Sequence, residues 1–415
     1  MSGHLRRDEL PTHPNTTADM TLSLDPSCQA DVIDQMAALE PGSPLHTLRH
    51  QRDKVAVATQ GSYKAMFDET VDGLGVIERL LVALHACSLS QSGELAAHYR
   101  SRVVALKVDP TLLEVAESRI TVAAADPRLR AMLAFTHTLI TNPIEGDRPA
   151  LMKLTEAGLR TPAIVALAQL IAFVSYQLRV VAGLKAMQAL DLEARQHEPR
   201  HVATQSEKAS ASNESQTMNQ PIQIKGFTNA VLDWKAWLDV VNPATATAGQ
   251  IAVLEESNVR AKVSDYYLLL VHQTRILHQR SIAFNAIMYA PGGLSRAERE
   301  LGSLVTSRIN GCVYCASVHA QRFEQLAKRS DVVAQVFDAP QTAGTTAREK
   351  AIVQTSIALT RTPGSFDAAN LKSLKDAGLT QIEILDLIHS VALFAWANRL
   401  MLNLGEPQVA APSPA

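Results

Sequence analysis

The chain repeats itself. Leu74-x3-Glu78-Arg79-x-Leu81-x2-Leu84 returns as Leu294-x3-Glu298-Arg299-x-Leu301-x2-Leu304, an offset of 220 (294 − 74). Pro143 and Pro363, Ala157-Gly158-Leu159 and Ala377-Gly378-Leu379, and Arg179 and Arg399 keep that offset. One offset held without gaps over roughly a hundred residues is the mark of a tandem duplication, and it constrains the fold before any element is assigned. A chain of 415 residues has room for two or three domains. The repeat selects two, over 46–195 and 226–408. Between them, 196–225 is rich in Gln, Ser, Asn, Glu and Lys and cannot bury a core, so it reads as a flexible linker. Residues 1–45 read as an arm with a short helix near Ala30 to Leu39, and 409–415 as a tail.

The periodic segments are helical. Tyr266 to His272, Glu298 to Ile309, Cys312 to Lys328, Arg348 to Thr360 and Ile382 to Leu404 place apolar residues at i, i+3, i+4 and i+7. Ser295 with Glu298 forms a capping box for one of them. Asn310-Gly311 ends that helix through a left-handed residue, and the next begins near Cys312. Thr362-Pro363-Gly364 marks a loop. No stretch shows convincing strand alternation, and the expected fold class is all-α.

Thr161 to Leu178 carries no charge and is about long enough to raise a membrane question. Its repeat partner, 381–398, contains Glu383, Asp386 and His389, and two copies of one fold belong in one solvent. Both are therefore expected to be core helices of a soluble protein, with no membrane partner. Arg6-Arg7 is followed by Asp8 and Glu9 rather than an apolar run, so no signal peptide is expected. A net charge of -2 and a pI near 6.7 give no basic surface for nucleic acid. Four cysteines, Cys28, Cys87, Cys312 and Cys315, are too few and too scattered for a secreted disulfide framework. A reducing, cytoplasmic location is expected.

Chemistry concentrates in Gly311-Cys312-Val-Tyr314-Cys315-Ala-Ser-Val-His319. On a helix Cys312 and Cys315 are i, i+3 neighbours and Cys315 and His319 are i, i+4, so all three share one face. First-turn amides stabilise a thiolate. His319 holds or delivers a proton near neutral pH. Glu300, on the preceding helix, reaches the same pocket if the hairpin folds back, and Tyr314 adds a hydroxyl. This set suits thiol redox chemistry. One thiolate attacks a peroxide oxygen to give a sulfenic acid, the other thiol resolves it as a disulfide, and an external thiol reduces that.

Glu300-x11-Cys312-x2-Cys315-x3-His319, followed by Trp396-Ala-Asn-Arg399-Leu, resembles the alkyl hydroperoxide reductase D / carboxymuconolactone decarboxylase superfamily, closest to its tandem two-domain forms. The resemblance covers about 45–195 and 226–405. It implies an all-helical fold, assembly through helical faces into a homo-oligomer, and peroxiredoxin-type activity on a hydroperoxide with a thiol reductant. It further implies Cys315 as the peroxidatic cysteine, Cys312 as the resolving one, and Glu300 and His319 as a proton relay. No bound cofactor or metal is expected beyond the Cys312–Cys315 dithiol. Where the best-studied branch carries a second histidine, this chain has Tyr314. In the first copy Leu80, Ser92, Leu95 and Tyr99 stand at the four site positions, and His98 is one residue early. That copy is expected to be structural.

Three other readings compete. A zinc site of Cys312, Cys315, His319 and Glu300 lacks the second knuckle that structural zinc sites draw on. A non-redox, decarboxylase-like or lactone-processing enzyme is opposed by the cysteine pair, which, as the resemblance implies, that branch generally lacks. The pair could also be small buried hydrophobes beside a core histidine. Arg179 and Arg399 are expected to pair with carboxylates or cap helices, His389 to be a hydrogen-bonded core histidine, and Trp234 and Trp237 to anchor packing.

Overall fold

The computed structural model describes residues 31–118, 126–196 and 221–409. Its first nine helices are α1 (Val32–Met36), α2 (Pro44–His50), α3 (Asp53–Met66), α4 (Val76–Leu89), α5 (Gly93–Ala105), α6 (Pro110–Glu117), α7 (Pro127–Thr141), α8 (Arg148–Glu156) and α9 (Thr161–Gln196). The next nine are α10 (Ala248–Ser257), α11 (Asp265–Leu270), α12 (Thr274–Met288), α13 (Arg296–Asn310), α14 (Val313–Ala327), α15 (Asp331–Asp338), α16 (Ala347–Arg361), α17 (Ala369–Asp376) and α18 (Gln381–Asn403). The fold is all-α.

The elements follow the sequence offset. α4 and α13 start at 76 and 296, α5 and α14 at 93 and 313, α7 and α16 at 127 and 347, and α9 and α18 at 161 and 381. Left-handed glycines recur as well, Gly73 with Gly293 and Gly158 with Gly378. Thr362-Pro363-Gly364, expected as plain loop, contains a short 3-10 turn, Pro363–Ser365, matching Pro143–Glu145. The halves are not held apart: the chain from Asp31 onward is one compact unit. Its spine is α9 packed along α18, the most extensive helix pair. Both helices are long and apolar enough to span a membrane, yet their apolar windows are 100% and 94% buried inside the protein. That burial makes them core helices.

Three expectations need correction. Residues 31–45, expected in the arm, are packed, because α1 inserts Val32 and Ile33 into the core and α2 adds Leu45 and Leu48. Short strands exist. β1 (Gln223–Ile224) pairs with β2 (Phe227–Thr228), and β3 (Leu232–Ala236) pairs antiparallel with β4 (Gly405–Val409). So Val409 lies opposite Leu232 rather than in a free tail. Arg179 and Arg399 take the second of their two expected roles, meeting helix-end carbonyl oxygens rather than carboxylates. Cys28, residues 1–30 of the expected arm and residues 197–220 of the expected linker lie outside the described residues.

Candidate active site

The hairpin of α13 and α14 builds the site. Ser295 caps α13, with Glu298 completing the box, as the sequence predicts. Gly311 ends the helix at φ 79°, a conformation that favours glycine. A side chain there would also meet Ile144 Cδ1 at 2.6 Å. The reversal makes Cys312 the N-cap of α14 and places Cys315 in its first turn.

Glu300 and His319 meet across the hairpin, with His319 Nδ1 2.5 Å from Glu300 Oε2. Arg296, one turn earlier on α13, holds the other carboxylate oxygen at 2.6 Å. Sequence reasoning left Arg296 out, although its i, i+4 spacing to Glu300 was visible. Burial alone would raise the Glu300 carboxyl, but His319 and Arg296 outweigh it and hold the group below its ordinary 4.5. Among the described residues nothing bonds His319 Nε2. The imidazole packs edge-on against Phe394, 4.1 Å between ring centroids, which fixes its plane.

Cys312 and Cys315 are buried free thiols, 2% and 4% exposed. Burial, and then the adjacent Cys315, push the Cys312 thiol well above its ordinary value, and the Cys315 amide and Asn398 side chain offset this only partly. Cys312 is thus held protonated. Tyr314 is half-buried beside them, its hydroxyl pushed up to about 12 by burial and by Cys315. The structure also brings in a residue the sequence did not flag. Tyr266 has a buried hydroxyl without a partner among the described residues, raised by burial and also influenced by both cysteines. Arg280 lies over its ring at 5.3 Å.

The approach to α14 is strapped by the segment leading into β3. Ser317 Oγ donates to the Ala230 carbonyl, and Gln321 Nε2 donates to the same oxygen at 3.1 Å. Trp234 on β3 anchors the strap by donating to the Met401 carbonyl at 2.9 Å. The zinc reading finds no support in the donor geometry. Among the described residues, the one set of three or more His, Cys, Asp or Glu donors converging within 4.8 Å is Asp34, His46 and His50.

The equivalent place in the first half is packing. Tyr99 Oη donates to Gln177 Oε1, and His98 Nε2 lies 2.8 Å from Tyr63 Oη. Cys87 is fully buried, and burial drives its thiol far up. A cavity of about 430 Å³ lies at the junction of the halves instead, lined in part by Arg179, Arg361 and Arg399.

Residues 276–355 match the carboxymuconolactone decarboxylase family, a segment that contains Glu300, Cys312, Cys315 and His319. No curated protein matches the chain. Two solved structures are similar to part of it. One, described as an alkylhydroperoxidase core, is a peroxidase-related protein from Ralstonia eutropha JMP134. It is 23% identical over 40% of this chain and 87% of its own, with a TM-score of 0.36. The other is a peroxidase-related protein from Silicibacter sp. TM1040, 21% identical over 44% of this chain and 91% of its own, with a TM-score of 0.35.

Proposed function

We propose that this chain, whose residues 276–355 match the carboxymuconolactone decarboxylase family, is a thiol-dependent peroxidase working through Cys315 and Cys312. The observation that carries the reading is the Arg296–Glu300–His319 chain of contacts, built behind a pair of free thiols on the helix that bears His319. A merely structural cysteine pair would have no need of it.

Glu300 accepts from His319 Nδ1–H, which leaves Nε2 as the acceptor on the face shared with Cys315, one helical turn away. His319 takes the Cys315 proton. The thiolate attacks the distal oxygen of a hydroperoxide, the O–O bond breaks, and the alkoxide leaves with the proton returned by His319. The products are an alcohol and a Cys315 sulfenic acid. Cys312, held as a thiol, displaces hydroxide from that sulfur; water leaves and the Cys312–Cys315 disulfide forms. Two equivalents of an external thiol reduce it. Tyr314 flanks the pair and donates a hydrogen bond to the peroxide. The first half supplies framework.

The test is organic hydroperoxide consumption, with a dithiol reductant, by wild type, Cys315→Ser and Cys312→Ser. Both variants should lose turnover, and Cys312→Ser should accumulate a trappable sulfenic acid on Cys315. Equal turnover in all three would reject the site, and trapping only on Cys312 in Cys315→Ser would reverse the two roles.

A further inference from the structure

Asp34, His46 and His50 form a second cluster of donors, distant in sequence from the cysteines and unused by the proposed chemistry. His46 and His50 sit one turn apart on α2, so their rings lie side by side, with centroids 4.4 Å apart. Asp34 faces them from α1. Its Oδ2 is 2.8 Å from His50 Nε2 and 3.7 Å from His46 Nε2. Three donor atoms therefore converge on one point.

The surroundings are those of a supported ligand set. Arg49 Nη1 holds the other Asp34 oxygen at 2.7 Å, aiming Oδ2 at the histidines, and Arg49 Nη2 pairs with Asp31 at 3.1 Å. Arg49 is 2% exposed, so the clamp is rigid. Two carboxylates against one guanidinium leave one negative charge when both imidazoles are neutral, which favours a cation. The side chains of His46 and His50 are 24% and 36% exposed, so solvent reaches the ring edges. Two contacts oppose an ion, and both are long. The Gly42 amide is 3.4 Å from His46 Nδ1, and Arg49 Nη1 is 3.4 Å from His50 Nε2. Both give way once Nδ1 carries the ring proton and Nε2 is the ligand. The positions 220 residues on are Leu254, Tyr266 and Leu270, so the cluster is particular to the first half.

We propose that Asp34 Oδ2, His46 Nε2 and His50 Nε2 bind a divalent cation of the zinc type, fastening α1 to α2. Two imidazoles and one carboxylate suit zinc-like ions rather than calcium or magnesium. The two Asp34 separations, 2.8 and 3.7 Å, lie within an ångström of the spacing that bonds of about 2.0–2.2 Å to one tetrahedral ion require, and all three donor atoms lie within 4.8 Å of one another. Water completes the tetrahedron from the exposed side. The ion takes the place of the proton between His50 Nε2 and Asp34 Oδ2, which moves to His50 Nδ1.

The test is metal titration of the full-length, tag-free protein with Zn²⁺, and with Co²⁺ for its spectrum. Wild type and the Cys312→Ser/Cys315→Ser double variant should each bind one equivalent at this site. Their Co²⁺ spectra should show ligand-field bands, and that of the double variant no thiolate charge transfer. His46→Ala and His50→Ala should lower the affinity at least about tenfold, and Zn²⁺ should no longer raise their melting temperature. Far-UV circular dichroism in chelator establishes that these variants are folded. The wild-type and double-variant spectra test the site even where a histidine variant does not fold. Binding that survives both histidine substitutions, binding that disappears in the cysteine double variant, or no binding at all would overturn the proposal.

Discussion

Arg179 Nη2 donates to the Thr360 carbonyl oxygen at 2.6 Å, so a first-half arginine closes the last turn of second-half helix α16. The exchange is reciprocal. Arg399 donates to the Leu139 carbonyl at 2.8 Å and reaches that of Ile140, the residue 220 positions before Thr360, at 3.5 Å. Each half thus satisfies helix-end carbonyls that the other half leaves open, with a cation at the negative end of the dipole. Both arginines are buried, and burial draws Arg179 down to about 10.

Removing either arginine leaves buried carbonyls without donors. Arg179→Met and Arg399→Met should each lower unfolding free energy by about 2 kcal/mol, since an orphaned buried acceptor costs on the order of 1–3 kcal/mol. Urea titration checks this. The two losses should be similar, with the midpoint shifted and the slope unchanged. A loss confined to one variant would show that the reciprocity is only geometric.

Asp386 ties the halves at a second point. Arg52, from the first half, grips it through Nε at 2.8 Å and Nη2 at 2.7 Å; Arg299 Nη2 adds 2.8 Å and the Leu294 amide 3.0 Å. Gly293 has no side chain, and a Cβ there would strike this carboxylate and Arg52. Asp386→Asn strands two guanidinium groups in a buried site, and the expected cost is about 3–5 kcal/mol. The Asp386→Asn/Arg52→Met double variant should fall short of the sum of its singles, because removing Arg52 relieves one unpaired charge. Additive losses would mean that the three groups act independently.

Glu300 should control both acid stability and turnover. Its folded-state carboxyl lies below the ordinary 4.5. The stabilisation is therefore complete above that value and is lost as pH falls below 4.5 through the folded value. Glu300→Gln should flatten this part of the stability–pH curve and, if the relay operates, slow peroxide turnover by about 10²-fold. Chemical denaturation between pH 3 and 7 reads the first effect, and hydroperoxide consumption the second. An unaltered curve would remove Glu300 from the electrostatic account.

Much of the site was legible because it is local. The Ser295 cap, the Gly311 reversal and the start of a new helix at Cys312 follow from spacing alone. The repeat likewise carried the order of helices through both halves. Partners distant in sequence were not legible. Phe394 against His319, Tyr266 near the cysteines, and β3 pairing with β4 across 170 or so positions depend on tertiary packing. Arg179 and Arg399 were visible as a repeated pair, but their carbonyl acceptors carry no side-chain signal. The short helix holding Val32 and Ile33 was legible but its burial was not, since a helix of five residues offers too few turns to show a buried face.

His389 should make the protein sensitive to mild acid. It replaces Gln169 of the first half and is fully buried. Tyr176 Oη is 3.4 Å from its Nδ1, and Nε2 has no partner among the described residues. Burial, with Arg49 nearby, holds the imidazole down to about 3 against an ordinary 6.5. The folded protein keeps the ring neutral where the unfolded chain protonates it. Its contribution to stability is thus complete above pH 6.5 and declines as pH falls from there toward 3. One proton taken up only on unfolding gives a slope of about 1.4 kcal/mol per pH unit across that interval. His389→Gln, which restores the residue type of the first half, removes the titration. It should lose less stability than wild type between pH 6.5 and 4.5, a range above the Glu300 transition. Denaturant unfolding at half-unit pH steps measures the two slopes, and parallel curves would show that His389 is already protonated in the folded protein.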